Sequence, residues 1–135
     1  MASHNDFGKL AEELAEAFLL EKGMKILAKN FRYQKAEIDL IAQTENQIVI
    51  VEVKARATDV FMLPQEAVNK KKIKLMVLAA NYFIEENNID LETRFDVISV
   101  LPNEAGKLEI THIENAFEAF DANLQTWSYF LKIIK

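Results

Sequence analysis

The chain has 135 residues, half of them apolar, with three Gly, two Pro and no Cys. That is enough apolar surface for one domain with a real core; it argues against disorder, and the lack of Cys excludes disulfides and thiolate metal sites. A net charge of −5 at pH 7 counts against a strong, sequence-independent DNA binder, because neutralising phosphates takes Lys and Arg.

No apolar run reaches transmembrane length, and Met1 to Lys9 lacks the basic start and apolar stretch of a signal peptide. A cytoplasmic protein with no membrane partner is the expectation. Asn5 or Asp6 can cap a first helix running to about Lys22, with Phe7, Leu10, Ala11, Leu14, Ala15 and Phe18 as its apolar stripe. Gly23 suits the residue just past that helix. Met24 to Arg32 reads as a strand or extended segment, followed by a polar connection at Tyr33 to Lys35. Glu37 to Ala42 is the next strand, Thr44 to Gln47 a turn, and Ile48 to Lys54 a third strand. The third is apolar almost throughout, the pattern of a central strand covered on both faces.

Ala55 to Leu63 reads as a loop, and Pro64 can open a second helix reaching about Asn87. Val68, Leu75, Met76, Ala79, Ala80 and Phe83 supply its apolar side. Arg94 to Leu101 and Lys107 to Ile113 are two more strands, joined by a turn from Pro102 to Gly106. The order α-β-β-β-α-β-β predicts a single α/β domain with a central mixed sheet flanked by helices. Residues 1–118 form that domain; residues 119–135, with Trp127, Tyr129, Phe130, Leu131, Ile133 and Ile134, form a tail that packs on the body or on a partner. That apolar tail makes a homodimer one expected assembly.

The chemistry concentrates in Glu37-Ile38-Asp39-Leu40-Ile41 and Glu52-Val53-Lys54. Alternation along a strand puts Glu37 and Asp39 on one face, and Glu52 and Lys54 on one face. If the two strands pair, three carboxylates and an ammonium can converge. Carboxylate oxygens suit Mg²⁺ or Mn²⁺, and a neighbouring Lys can act on a phosphate or a water. Read alone, Glu-x-Lys is common, and an exposed strand face with one Glu–Lys pair accounts for it equally well.

Further motifs bear on that choice. They are Gly8-Lys9-Leu10-Ala11-Glu12 with Ala15, Leu27-Ala28-Lys29-Asn30-Phe31-Arg32, Glu37 to Ala42, and Val51-Glu52-Val53-Lys54-Ala55-Arg56. Glu66-Ala67-Val68 with Lys72, Arg94-Phe95-Asp96-Val97-Ile98, and His112 to Phe117 follow. Together they resemble the YraN family of nuclease-like bacterial proteins, in the PD-(D/E)XK superfamily of resolvases and restriction endonucleases. The resemblance spans about residues 5 to 118. It departs at Ala11 and Ala36, where the family usually has Gly, and at Ala55, where it usually has Thr.

The resemblance implies a restriction endonuclease-like fold and a divalent-metal-dependent nuclease acting on nucleic acid, with branched or structured DNA as the expected substrate. Asp39 and Glu52 would hold the metal with the Val53 carbonyl, Lys54 would act on water or on the phosphorane charge, and Glu12 would be a fourth acid. Glu37 either binds metal or pairs with a basic residue, and Gln65 stands where related nucleases often carry a catalytic Gln or Lys. Arg32, Arg56 and the cluster Lys70, Lys71, Lys72 and Lys74 are candidate nucleic-acid contacts, the cluster reading equally as a solvated helix face. Arg94 reads better as an ion pair with Asp96 or Asp90. His4 and His112 are too isolated for a zinc site. A non-catalytic module that keeps the fold and binds nucleic acid or protein is the competing class.

Overall fold

The computed structural model describes residues 4–55 and 70–116. Within them the chain runs α1 (His4–Glu21), β1 (Lys25–Tyr33), β2 (Ala36–Gln43), β3 (Gln47–Ala55), α2 (Lys70–Glu86), β4 (Glu92–Pro102) and β5 (Leu108–Ile113). The five strands form one sheet in chain order. Only β3 and β4 pair in parallel; the other three pairings are antiparallel. The expected α/β architecture, a mixed sheet flanked by helices, is the one observed. The expected helix start at Pro64 and the tail at 119–135 lie outside the described residues.

α1 and α2 cover opposite faces of the sheet. Ala11, Ala15 and Leu19 of α1 bury against Leu40, Ala42, Val49, Val51, Val53, Ile98 and Val100. The buried stripe is therefore turned from the one expected: Leu19 is fully buried, whereas Leu10 is 42% exposed. Two alanines at the contact let the helix lie close to the sheet. On the other face Ile73, Met76, Val77, Ala79, Ala80 and Phe83 of α2 pack on Ile38, Ile41, Ile48, Ile50 and Val97. β3 is the middle strand and is buried on both faces, as its apolar run demands.

Both helices end in the same device. Gly23 (φ 91°) donates to the Leu20 carbonyl at 2.9 Å, and Met24 donates to Leu19 at 3.0 Å. Asn88 (φ 51°) and Ile89 make the matching bonds to Glu85 and Ile84, at 3.3 and 3.0 Å. These are Schellman endings, which need a left-handed residue where Gly or Asn is least penalised. Among the described residues no helix is long and apolar enough to cross a membrane.

Candidate active site

One break in regular pairing shapes the cleft. In the β1–β2 ladder Lys29 pairs with Leu40 and Phe31 with Ile38, but the intervening Asn30 and Asp39 are not paired. Asn30 has φ 50°, a left-handed conformation that Asn tolerates better than most residues. β2 pairs with β3 only from Leu40 to Gln43, so the two strands part beyond Leu40. Side-chain alternation resets at the same place: Ile38 and Ile41 pack on the α2 side, Leu40 and Ala42 on the α1 side. Asp39 therefore does not sit on one face as simple alternation requires. It turns into the gap, where its Oδ2 accepts the Val53 N–H at 2.7 Å.

That gap lets residues from both faces of the sheet meet. Glu52 and Lys54 come from β3, Lys72 from the first turn of α2, and Glu12 with Lys9 from α1; all line one cleft with Asp39. Its volume is about 480 Å³. Glu52 is 3% exposed, and its Oε1 lies 3.0 Å from the Lys72 Nζ and 3.7 Å from the Lys54 Nζ. Its other oxygen, Oε2, is buried with no hydrogen-bond partner among the described residues. A buried orphan carboxylate oxygen is costly, and such an atom marks a place for a cation or a donor.

Electrostatics are correspondingly strained. Burial, reinforced by repulsion from Glu52, pushes the Asp39 carboxyl up to about 8, although the Val53 N–H opposes it. Burial also raises Glu12, with Glu37 and Glu52 adding to it and the Asn30 amide opposing. Lys54 is lowered by burial, with the Lys72 charge helping and Glu52 opposing. Burial works against the charged form of Lys72 too, but its partner Glu52 outweighs that and raises it.

A pH prediction follows for the metal-free protein. Folded Asp39 keeps its proton to about 8, whereas a carboxyl in the unfolded chain loses it near 3.8. Between those values the folded state binds the extra proton, so this group's contribution to stability falls as pH rises through the window. Asp39→Asn cannot ionise and escapes that loss. In chelator, the melting temperature of the variant relative to the parent should rise between about pH 5 and about pH 8. A difference that stays flat with pH counts against the strained site.

The remaining candidates divide. Glu37 lines a second mouth of the cleft with Lys35, Ala36, Asp39, Glu52, Lys72 and Leu75, and it pairs with Arg32 at 3.0 Å. Arg32 thus already has a carboxylate partner, which weakens its case as a phosphate contact. Lys72 corrects the view of the basic cluster as a group apart: it turns into the cleft, whereas Lys71 and Lys74 are exposed. Glu13 is exposed as expected of a solvated helix Glu, but Glu16 is partly covered and pairs with Lys29 at 3.4 Å. Arg56 and Gln65, and the side chain of Lys70, lie outside the described residues. Among those described, no three acidic or imidazole groups form a ready-made ion cage. Neither Lys9 nor Asn30 stands out singly in the sequence; for Asn30 a polar residue between Lys29 and Phe31, opposite an acid, is the available signal.

A second polar cluster lies on the α1 face of β4. Asp96 is fully buried and accepts from Arg94 Nε and Nη2, both at 2.9 Å, and from the Asn115 N–H at 2.9 Å. The His112 Nε2 is 2.7 Å from Asp96 and its Nδ1 is 2.8 Å from the Lys22 Nζ. An ammonium donating to Nδ1 leaves the proton on Nε2, facing Asp96. His112 is thus a packed residue, and Arg94 pairs with Asp96 as its spacing suggested.

Fold and cleft together define an α/β protein with two carboxylates and two lysines at a splayed strand junction. The sequence pattern of the uncharacterised protein family UPF0102 matches residues 11–100, and the chain belongs to that family. It is 47% identical over 120 residues to a UPF0102 protein of Christiangramia forsetii, covering 89% of this chain and 100% of the relative. It is 50% identical over 120 residues to one from Flavobacterium psychrophilum, with the same coverage. Among solved structures, that of Pyrococcus furiosus SfsA in complex with Ca²⁺ aligns over 79% of this chain and 62% of its own length. That likeness has 16% identity and a TM-score of 0.34, and spans under two thirds of the SfsA chain.

Proposed function

We propose that this chain is a divalent-metal-dependent nuclease of the PD-(D/E)XK type, hydrolysing phosphodiesters with Mg²⁺ or Mn²⁺. The buried Oε2 of Glu52, without a hydrogen-bond partner among the described residues and beside Asp39 at the cleft floor, carries the reading. Asp39, Glu52 and the Val53 carbonyl would hold the ion, with Glu12 on the α1 wall of the same cleft. An all-oxygen donor set suits a hard cation, which commonly completes its shell with water and substrate phosphate. When bound, the ion would polarise a phosphoryl oxygen and favour attack by water.

The chain's own groups supply the rest. The Val53 N–H fixes the Asp39 carboxyl so that one oxygen is held and the other is directed by that bond. Lys54, 22% exposed, places an ammonium at the cleft wall where charge develops on a phosphoryl oxygen. Lys72 balances Glu52 and sits where a phosphate would enter. With a net charge of −5, binding must rely on this local set of cations. The Lys72–Glu52 bond favours a second reading, in which the cleft binds nucleic acid or protein without cutting.

A panel of linear, junction and flap DNA and RNA, incubated with Mn²⁺, tests the two. Cleavage by the parent that disappears in Glu52→Gln is the expected result. Binding without cleavage of any substrate, unchanged in Glu52→Gln, would move the protein to the non-catalytic class.

A further inference from the structure

Beyond the second mouth of the cleft lies an aromatic surface that the catalytic set does not use. Tyr33, at the end of β1, stacks on Tyr82 of α2 with ring centroids 4.1 Å apart and planes 20° apart. Phe31 lies 6.4 Å from Tyr82 at 25°. Phe31 is anchored beneath by an edge contact to Phe83 at 5.1 Å. Tyr82 is nonetheless 38% exposed, one of few large apolar side chains so placed among the described residues.

This surface is continuous with the cleft. Tyr33 pairs across the hairpin with Ala36, which lines the second mouth beside Lys35, Asp39, Glu52 and Lys72. Along α2 Lys72, Leu75 and Tyr82 fall on one side of the helix, with Ala79 between them buried against the sheet. Leu75 lines the cleft and Tyr82 follows two turns on. From Lys72 to Tyr82 the helix advances about 15 Å, the length of about four stacked nucleotides of one strand.

We infer that a single-stranded segment of nucleic acid runs along this lane, stacking a base on the Tyr82–Tyr33 pair while its backbone enters the acid cleft past Lys35 and Lys72. The inference deepens the nuclease reading and rests on it for the direction of the strand. Charge selects the occupant: at this mouth Glu37 is matched by Arg32 and Glu52 by Lys72, which leaves the exposed Lys35 as the cation that meets a phosphate. Glu86, exposed one turn past Tyr82, would repel a phosphate and set the far limit of the lane. Duplex hides its base faces, whereas an unpaired base offers a π-face to any ring. Stacking also gives an acidic protein affinity that phosphate contacts alone would not supply.

The test is fluorescence anisotropy in EDTA, with a labelled oligo-dT and a blunt duplex of equal length, on parent, Tyr82→Leu and Tyr82→Phe proteins. Tighter binding of oligo-dT than of duplex by the parent is expected. Tyr82→Leu should weaken oligo-dT binding by about tenfold, with duplex binding unchanged and the melting temperature close to the parent's. Tyr82→Phe keeps the ring and should stay within about twofold. Equal oligo-dT affinity in the parent and Tyr82→Leu proteins overturns the inference, as does an equal loss on duplex or no binding of oligo-dT at all. The assay contains no metal and reads binding alone: Tyr82-dependent binding in EDTA, together with no cleavage of any substrate in the Mn²⁺ panel, would sink the nuclease reading and leave the platform. Cleavage with Tyr82-independent binding would do the reverse.

Discussion

Asp39→Asn is expected to lower the Mn²⁺-dependent cleavage rate by at least about a hundredfold while the protein stays folded. Asn is nearly the same size and its amide oxygen can still accept the Val53 N–H that Asp39 accepts at 2.7 Å. What it cannot supply is an anionic oxygen facing Glu52, and a pair of carboxylates that repel each other is what an ion relieves. Glu52→Gln should cost as much. The double variant should cost little more than either single change, because the two oxygens serve one ion and their effects do not add. Rates per folded molecule, with circular dichroism as the control, decide it. An Asp39→Asn protein cutting at the parental rate would remove the site assignment.

Asp96→Ala should show the opposite pattern, with stability lost and the chemistry kept. Asp96 is fully buried and takes hydrogen bonds from Arg94, His112 and the Asn115 backbone. Burial raises its pKa, but those donors outweigh it and hold the net value below the ordinary 3.8. Its contribution is therefore present above that value and is lost as pH falls through the lower folded one. Alanine leaves the His112 ring, 3% exposed, without its carboxylate partner and the Arg94 guanidinium, 14% exposed, with Gln47 and Glu114 in place of its shortest ion pair. Removing one partner of a buried pair costs about 3–5 kcal/mol, enough to move a urea midpoint well outside error. Asp96 faces α1 and the Glu52–Lys72 pair faces α2, so cleavage per folded molecule should persist. A loss below about 1 kcal/mol would mean that the Asp96 bonds are replaced by water.

The parts of the molecule governed by local rules were legible in the sequence. Apolar runs marked β3 as a central strand, Gly23 marked the end of α1, and the order of elements predicted the mixed sheet. Asp39, Glu52 and Lys54 stood out because their residue types are costly on an apolar strand, but it was the family resemblance that marked them as a site rather than an exposed pair. Three things were not. Alternation on β2 breaks at Asp39, opposite the left-handed Asn30 of β1, and no two-residue period announces it. Lys72 was set apart from Lys71 and Lys74 only by the family motif, not by periodicity, because the helix phase that turns it inward is set by packing of Ile73 and Met76 on the sheet. The Asp96–His112 bond joins residues sixteen apart on neighbouring strands, and depends on a register that local periodicity does not contain.

The single parallel join between β3 and β4 has a consequence for how the protein folds. β1, β2 and β3 follow one another as antiparallel neighbours, and both Asp39 and Glu52 belong to that meander. Hairpins close in microseconds, because the chain loops that must be ordered are short. β3 and β4 pair only after the long crossover carrying α2 has been laid across the sheet, a step with a larger entropic barrier. The two acids thus come together by local closure, and Lys72 reaches Glu52 only when the crossover docks. A substitution in the hairpins would slow the early association, whereas one in β4 would chiefly hasten unfolding, leaving the acids the first part of the cleft to form and the last to come apart.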